Sequence, residues 1–228
     1  MTEHQTAIDV RARELLIQAA DPAKAGPMAS YMKTEMPFYG VSSRERKAIS
    51  GLLAREFPAT SRDDYVCSVR TLWHGEFREE KYLAIAYARL FPRYVTLSSI
   101  PLYRTMITQG AWWDFVDEIA AHLVGSVLFR QRDRLTPTME SWTMNNDLWL
   151  ARTSIICQLR HKASTDTELL DSACTRNLES TEFFLRKAIG WALREYAKTD
   201  PSWVTAYAER HKDEMSGLTY REAMKHLR

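Results

Sequence analysis

At 228 residues and 26.4 kDa the chain can bury a sizeable core, as one domain or two small ones. Its 45% hydrophobic and 26% charged residues are ordinary for a globular protein, and a net charge of +2 excludes polyanion binding by bulk charge alone. Any phosphate-binding site must therefore come from the placement of charges.

Taken in chain order, the N-terminal MTEHQTAIDVRAREL lacks the basic-then-apolar pattern of a signal peptide. Ile8, Ala12, Leu15, Leu16 and Ala19 then make a first amphipathic helical stripe, and similar stripes recur to the end. Breaks that read as loops or helix starts fall at Asp21-Pro22, Gly26-Pro27, Phe57-Pro58, Phe91-Pro92, Ile100-Pro101, Thr136-Pro137 and Asp200-Pro201. Strand-like alternation is nearly absent, so the expected fold is all-α. No apolar run approaches the length of a membrane span, which points to a soluble, cytoplasmic protein. Cys67, Cys157 and Cys174 are far apart and odd in number, as expected of reduced thiols. No Cys-x-x-Cys or Cys/His cluster suggests zinc, and neither a metal nor a cofactor is expected.

Four segments align as a repeat. EFREEKYLAIAYARLF begins at Glu76, AWWDFVDEIAAHLVG at Ala111, DLWLARTSIICQLR at Asp147 and EFFLRKAIGWALREYA at Glu182, with offsets of 35, 36 and 35 residues. That period with two helices per unit predicts an α-solenoid of HEAT-like repeats in a single domain over 1–228. A helical bundle with evenly spaced helices is the alternative.

The segment AWWDFVD (111–117) carries the most chemistry. On a helix Trp113 and Asp117 share a face one turn apart, and a flat π surface beside an anion suits a cation. Stacking the repeats would bring Lys81, Trp113, Asp117, Arg152, Lys187, Trp191 and Arg194 onto one concave face. Cations along a groove suit phosphates, and indoles suit sugars or bases. One carboxylate facing a polyanion is unfavourable for binding, and stabilising developing positive charge is a reason for it to be there. The plainer reading of Asp117 is a solvated acid, or one paired with Arg152 of the next repeat. Trp73, Trp112, Trp142, Trp149 and Trp203 read as packing, and Asp114 as a first-turn acid complementing the helix dipole. Arg194 with Glu195 and Lys198 also reads as an exposed charged face. His161 and His226 are expected at the surface. No GxSxG, P-loop, GxGxxG or HExxH is present.

PMASYMK (27–33), AWWDFVD (111–117), DLWLARTSI (147–155), FFLRKAIGWALREYAKTDP (183–201) and REAMKH (221–226) resemble, in collinear order, the AlkD family of DNA alkylation repair glycosylases. The resemblance runs from about residue 20 to the end, and KAIGWALREYAK is its most specific piece. It implies a HEAT-like repeat fold that wraps double-stranded DNA in its concave face and excises N3- and N7-alkylated purines such as 3-methyladenine and 7-methylguanine. By the same resemblance Asp117 is the catalytic aspartate and Trp113 and Trp191 contact the deoxyribose. Arg152, Arg194 and Tyr31 contact the DNA backbone; Lys187, placed on the same face by the repeat stripe, is expected to grip phosphate with them. Gly26, Ser30 and Pro37 depart from the family pattern around Tyr31.

The expected enzyme is a monofunctional glycosylase working as a monomer without a base-reading pocket. The alternatives are a non-catalytic solenoid sensing alkylated or distorted duplex, and a protein-interaction scaffold.

Overall fold

The computed structural model describes residues 3–227, leaving Met1, Thr2 and Arg228 outside the described residues. Helices alternate with short turns, no strand occurs among the described residues, and the fold is all-α. The sequence reading takes 1–228 as one domain; the helices gather into two compact units, one up to Val95 and one from Thr96.

The first unit contains α1 (Glu3–Gln18), α2 (Pro22–Met32), α3 (Ser43–Glu56), α4 (Arg62–Trp73) and α5 (Arg78–Leu90). Packing of α1 on α3 and α4, and of α5 on both, buries Ile8, Leu16, Leu53, Tyr65, Val69, Leu72, Leu83 and Tyr87. Each such side chain contributes roughly 1.5–3 kcal/mol of transfer free energy. Ser42 and Glu45 form a capping box on α3, and Ser61 and Asp64 form another on α4, satisfying backbone donors that the first helical turn leaves free.

The second unit contains α6 (Ile100–Gly110), α7 (Trp113–Glu118), α8 (Gly125–Arg130), α9 (Arg132–Thr143), α10 (Leu148–Ile156), α11 (Thr167–Thr175), α12 (Phe183–Tyr196), α13 (Pro201–Arg210) and α14 (Gly217–Ala223). A π-helical stretch, Ile119–Val124, joins α7 to α8 without leaving helical backbone angles. The α7–π segment packs on α10, α10 on α12 and α12 on α14, while α9 and α11 pair behind them. This row of stacked helices is an α-solenoid arrangement. Its core holds Phe115, Val116, Ile119, Leu123, Leu150, Ile155, Ile156, Ala188, Ile189, Leu193 and Tyr207.

Two of the sequence breaks are not breaks. Pro27 lies inside α2 and Pro137 inside α9. A proline withholds one N–H from the carbonyl four residues earlier, here on Ala23 and Asp133, and both residues are exposed to water. Asp21-Pro22, Ile100-Pro101 and Asp200-Pro201 do start helices, and Phe57 and Phe91 end them.

The repeat frame also sharpens. The N-cap residues are Phe77, Trp112, Asp147 and Glu182, 35 residues apart throughout, so the starts placed at Glu76 and Ala111 are one residue early. Ala111 closes α6 in the left-handed conformation with φ 36°, where no helix begins, and Trp112 is extended. Arg78, Trp113, Leu148 and Phe183 are then equivalent, as are Tyr82, Asp117, Arg152 and Lys187. Lys81 therefore falls beside the stripe.

His161 is buried, in contrast to the surface position expected, while His226 is exposed. The His161 Nε2 lies 3.0 Å from the Gly125 carbonyl oxygen, and burial lowers the His161 pKa, favouring a neutral ring that donates there. The three cysteines are free thiols, with Cys157 and Cys174 buried.

Candidate functional site

Helix α7 begins at Trp113 because Trp112 is the extended N-cap, and Asp114 sits in the first turn, where the helix dipole favours an acid. Asp117 follows one turn after the half-buried Trp113, on the same face. Phe115 and Val116, on the opposite side, are fully buried and anchor the helix.

Arg152 of α10 meets Asp117 fork to fork. Its Nε donates to Oδ1 at 2.7 Å and its Nη2 to Oδ2 at 2.8 Å. Nη1 donates to the Phe184 carbonyl at 2.5 Å, tying the pair to the first turn of α12. The Arg152 side chain is 4% exposed and that of Asp117 15%, so the ion pair is largely withdrawn from water. Burial pushes the Asp117 carboxyl above the ordinary aspartate range, the Arg152 hydrogen bonds and charge pull it back, and Asp114 and Glu118 push it up again. The arrangement is an anion held in one orientation in a poorly solvated place, where it acts strongly on a nearby positive charge.

Aromatic rings brace this pair. Trp112, Trp149 and Phe184 form a triangle with centroid separations of 6.1, 5.4 and 5.0 Å. Trp112 and Trp149 thus pack, as the sequence suggests, and so do the buried Trp73 and Trp142 and the Trp203 ring stacked on Tyr207.

Close helix contact fixes the distance between α7–α8 and α10. A Cβ at Gly125 would stand 2.2 Å from the Cys157 carbonyl oxygen, so only glycine fits there.

On α12, Lys187, Trp191 and Arg194 follow at i, i+4 and i+7, on one face. Trp191 is half-buried and packs against the core. Lys187 Nζ donates to Glu222 Oε1 at 2.5 Å, and Arg194 Nη1 donates to Glu222 Oε2. The two cations, Lys187 first, hold the Glu222 carboxyl below its ordinary range against the opposing effect of burial. The sequence reading passes over Glu222. It lies 35 residues after Lys187, as Arg152 lies 35 after Asp117, and extending the repeat to a fifth segment would have found it.

The second unit therefore brings together Trp113, Asp117 and Arg152 on neighbouring α7 and α10, and Lys187, Trp191 and Arg194 on α12. Arg152 is turned onto Asp117 rather than outward. Tyr31 belongs to the first unit, where its side chain is 73% exposed on α2 beside Pro27, Met28 and Tyr82. Lys81, also in the first unit, donates to the Trp73 and Gly75 carbonyls at 2.6 and 3.1 Å. Among the described residues no group of His, Cys, Asp and Glu is arranged to hold a metal, and no helix is long and apolar enough to cross a membrane.

Comparison with solved structures finds a likeness to a predicted DNA alkylation repair enzyme from Enterococcus faecalis. The two share 30% identity and a TM-score of 0.83 over 91% of this chain and 96% of that one. A Pseudomonas fluorescens alkylpurine DNA glycosylase, AlkC, bound to DNA containing an abasic site analog, shares the fold at 14% identity and a TM-score of 0.52, over 99% of this chain and 62% of its own. No curated protein matches the sequence. The model of the DNA alkylation repair enzyme family matches residues 12–227, and with that coverage the chain belongs to the DNA alkylation repair enzyme family.

Proposed function

We propose that this protein is a monofunctional DNA glycosylase that hydrolyses the N-glycosidic bond of cationic N3- and N7-alkylated purines in duplex DNA, with 3-methyladenine and 7-methylguanine as its substrates. One observation carries the reading: Asp117 is held by two hydrogen bonds to Arg152 in a largely desolvated place, one helical turn from Trp113. Membership of a family of DNA alkylation repair enzymes supplies the substrate class.

Alkylation at N3 or N7 places a positive charge on the purine. The C1′–N bond breaks with its electron pair leaving on the base, which departs neutral without needing a proton. Positive charge then builds on the deoxyribose. Asp117 stabilises that charge and orients the water that adds to C1′, taking up the proton the water gives off. Trp113 and Trp191 present indole faces to the sugar, with cation–π attraction growing as it becomes an oxocarbenium ion. Lys187, Arg194 and Tyr31 contact the backbone and set register. Arg152 acts chiefly through Asp117, since its fork is already engaged there. The HEAT-like stack offers these groups to the backbone and sugar, so the base needs no reading pocket.

The test is release of free 7-methylguanine from duplex DNA by wild type and by Asp117→Asn. Equal release by both, or none by wild type at protein excess, removes the proposed activity.

A further inference from the structure

Glu222 has no part in the chemistry above, yet it occupies both cations of α12. Each carboxylate oxygen takes one of them, Oε1 from Lys187 and Oε2 from Arg194. The three side chains are 39%, 17% and 20% exposed for Lys187, Glu222 and Arg194, so the cluster is reachable from solvent. Its seat is built into the helix packing. A Cβ at Gly190 would come within 2.5 Å of the Glu222 Cβ and 2.9 Å of the Thr219 carbonyl oxygen, so the glycine lets α14 close on α12 between the two cations. Gly190 and Trp191 both lie between Lys187 and Arg194 in the sequence of α12. A carboxylate bridging a lysine and an arginine presents the geometry of a phosphate bridging them: two anionic oxygens, each accepting a charge-assisted hydrogen bond.

We infer that Glu222 is a specificity-determining residue that stands in for a DNA phosphate in the free protein, holding Lys187 and Arg194 on either side of Trp191 and setting a threshold that a duplex must overcome. The inference rests on the proposed role of these cations in duplex binding. A phosphate reaching Lys187 and Arg194 must displace Glu222 or share the cations with its negative charge. Loose contact with undamaged duplex is thereby weakened. A duplex seated fully on the site gains enough other contacts to bind. Neutralising Glu222 while keeping its shape should free the cations for phosphate.

The experiment measures binding of an undamaged duplex to wild type and Glu222→Gln across a salt series, and repeats both in a Lys187→Met/Arg194→Met background. The expected result is about tenfold tighter binding by Glu222→Gln at low salt, shrinking as salt rises. That gain should vanish in the double-cation background, because it acts through those two residues. Melting temperatures accompany each variant, and Glu222→Asp serves as a second probe that keeps the charge and should not reproduce the gain. Unchanged or weaker binding by Glu222→Gln, or a gain that persists without Lys187 and Arg194, overturns the inference. If the predicted binding gain appears while 7-methylguanine is not released by wild type, the glycosylase reading fails and this one stands. If wild type and Glu222→Gln both fail to bind duplex, both readings fall.

Discussion

Asp117 and Arg152 occupy the same position of successive repeats, 35 residues apart, and meet through two hydrogen bonds of 2.7 and 2.8 Å. The repeat thus supplies both an acid and the group that aims it. Removing one partner of a buried pair is far more damaging than the pair is stabilising, because the other charge is left without compensation. Arg152→Ala should destabilise the fold by about 3 kcal/mol, at the lower end for a buried pair because Asp117 keeps some contact with water. It should also sharply reduce excision even in protein still folded at the assay temperature. Arg152→Lys should not restore activity, since an ammonium cannot match both carboxylate oxygens. Chemical denaturation and single-turnover release of 7-methylguanine check the two effects separately; wild-type rates in folded Arg152→Ala would remove the positioning role.

The pH dependence follows from the direction of the Asp117 shift. Burial raises its folded-state pKa above the ordinary 3.8, against the pull of Arg152. A carboxyl with a raised pKa stabilises the fold most while protonated, below its unfolded pKa, and that contribution is lost as pH rises through the folded value. Catalysis runs the other way, because only the ionised form stabilises a cationic sugar. Single-turnover rates should therefore fall on acidification with a midpoint above that of a free aspartate. Arg152→Ala should move the midpoint of any residual activity higher still. The pH dependence of melting should flatten in Asp117→Asn relative to wild type. A midpoint at or below the ordinary aspartate value would count against Asp117 as the titrating group.

A single oriented anion without base-reading chemistry selects by lability of the glycosidic bond. Lesions that are already cationic should be released, while hypoxanthine and uracil, which leave poorly unless protonated, should stay in place. Time courses on matched duplexes carrying each lesion test this, and efficient release of hypoxanthine or uracil would overturn the proposed mechanism.

The all-α fold was legible because the hydrophobic period is helical along the chain and most proline breaks, though not those at Pro27 and Pro137, fall at helix ends. The 35-residue spacing was legible because the N-terminal turns resemble one another. The register was harder. Ala111 looks like a helix start, yet its left-handed backbone ends the preceding helix, and the one-residue shift decides which side chains are equivalent. Trp113, Asp117 and Arg152 were legible as a group because helical spacing and repeat spacing both select them. The direction of the Arg152 fork stayed open in the sequence between a phosphate and Asp117 of the preceding repeat, since an arginine reaches either equally well until burial removes the choice, and the structure shows the pair with Asp117. Glu222 and His161 were missed for a related reason. Their partners, on α12 and at Gly125, lie 28 to 36 residues away, and a local pattern shows only a surface acid and a surface imidazole.

Gly125 connects the stacking to the chemistry. In an ordinary helix, replacing glycine with alanine gains about 1 kcal/mol of propensity. Here the new Cβ would lie 2.2 Å from the Cys157 carbonyl oxygen, a backbone atom that yields only if α8 and the end of α10 part, and 3.1 Å from that of Ala120 in the π-helical stretch leading into α8. Gly125→Ala should therefore destabilise by about 2 kcal/mol, the overpacking cost outweighing the propensity gain. The π-helical stretch after Asp117 and the C-terminal end of α10 would separate, lengthening the reach from Arg152 to the carboxylate. His161, which meets the Gly125 carbonyl at 3.0 Å, would be displaced with them. Excision should fall more steeply than stability, by about tenfold or more in protein shown to be folded, because a small misplacement of an oriented group has a large effect on rate. Thermal melts paired with single-turnover release at a temperature well below the transition give the comparison. A stable Gly125→Ala protein with wild-type rates would show that the close approach of α8 to α10 has no part in holding Asp117.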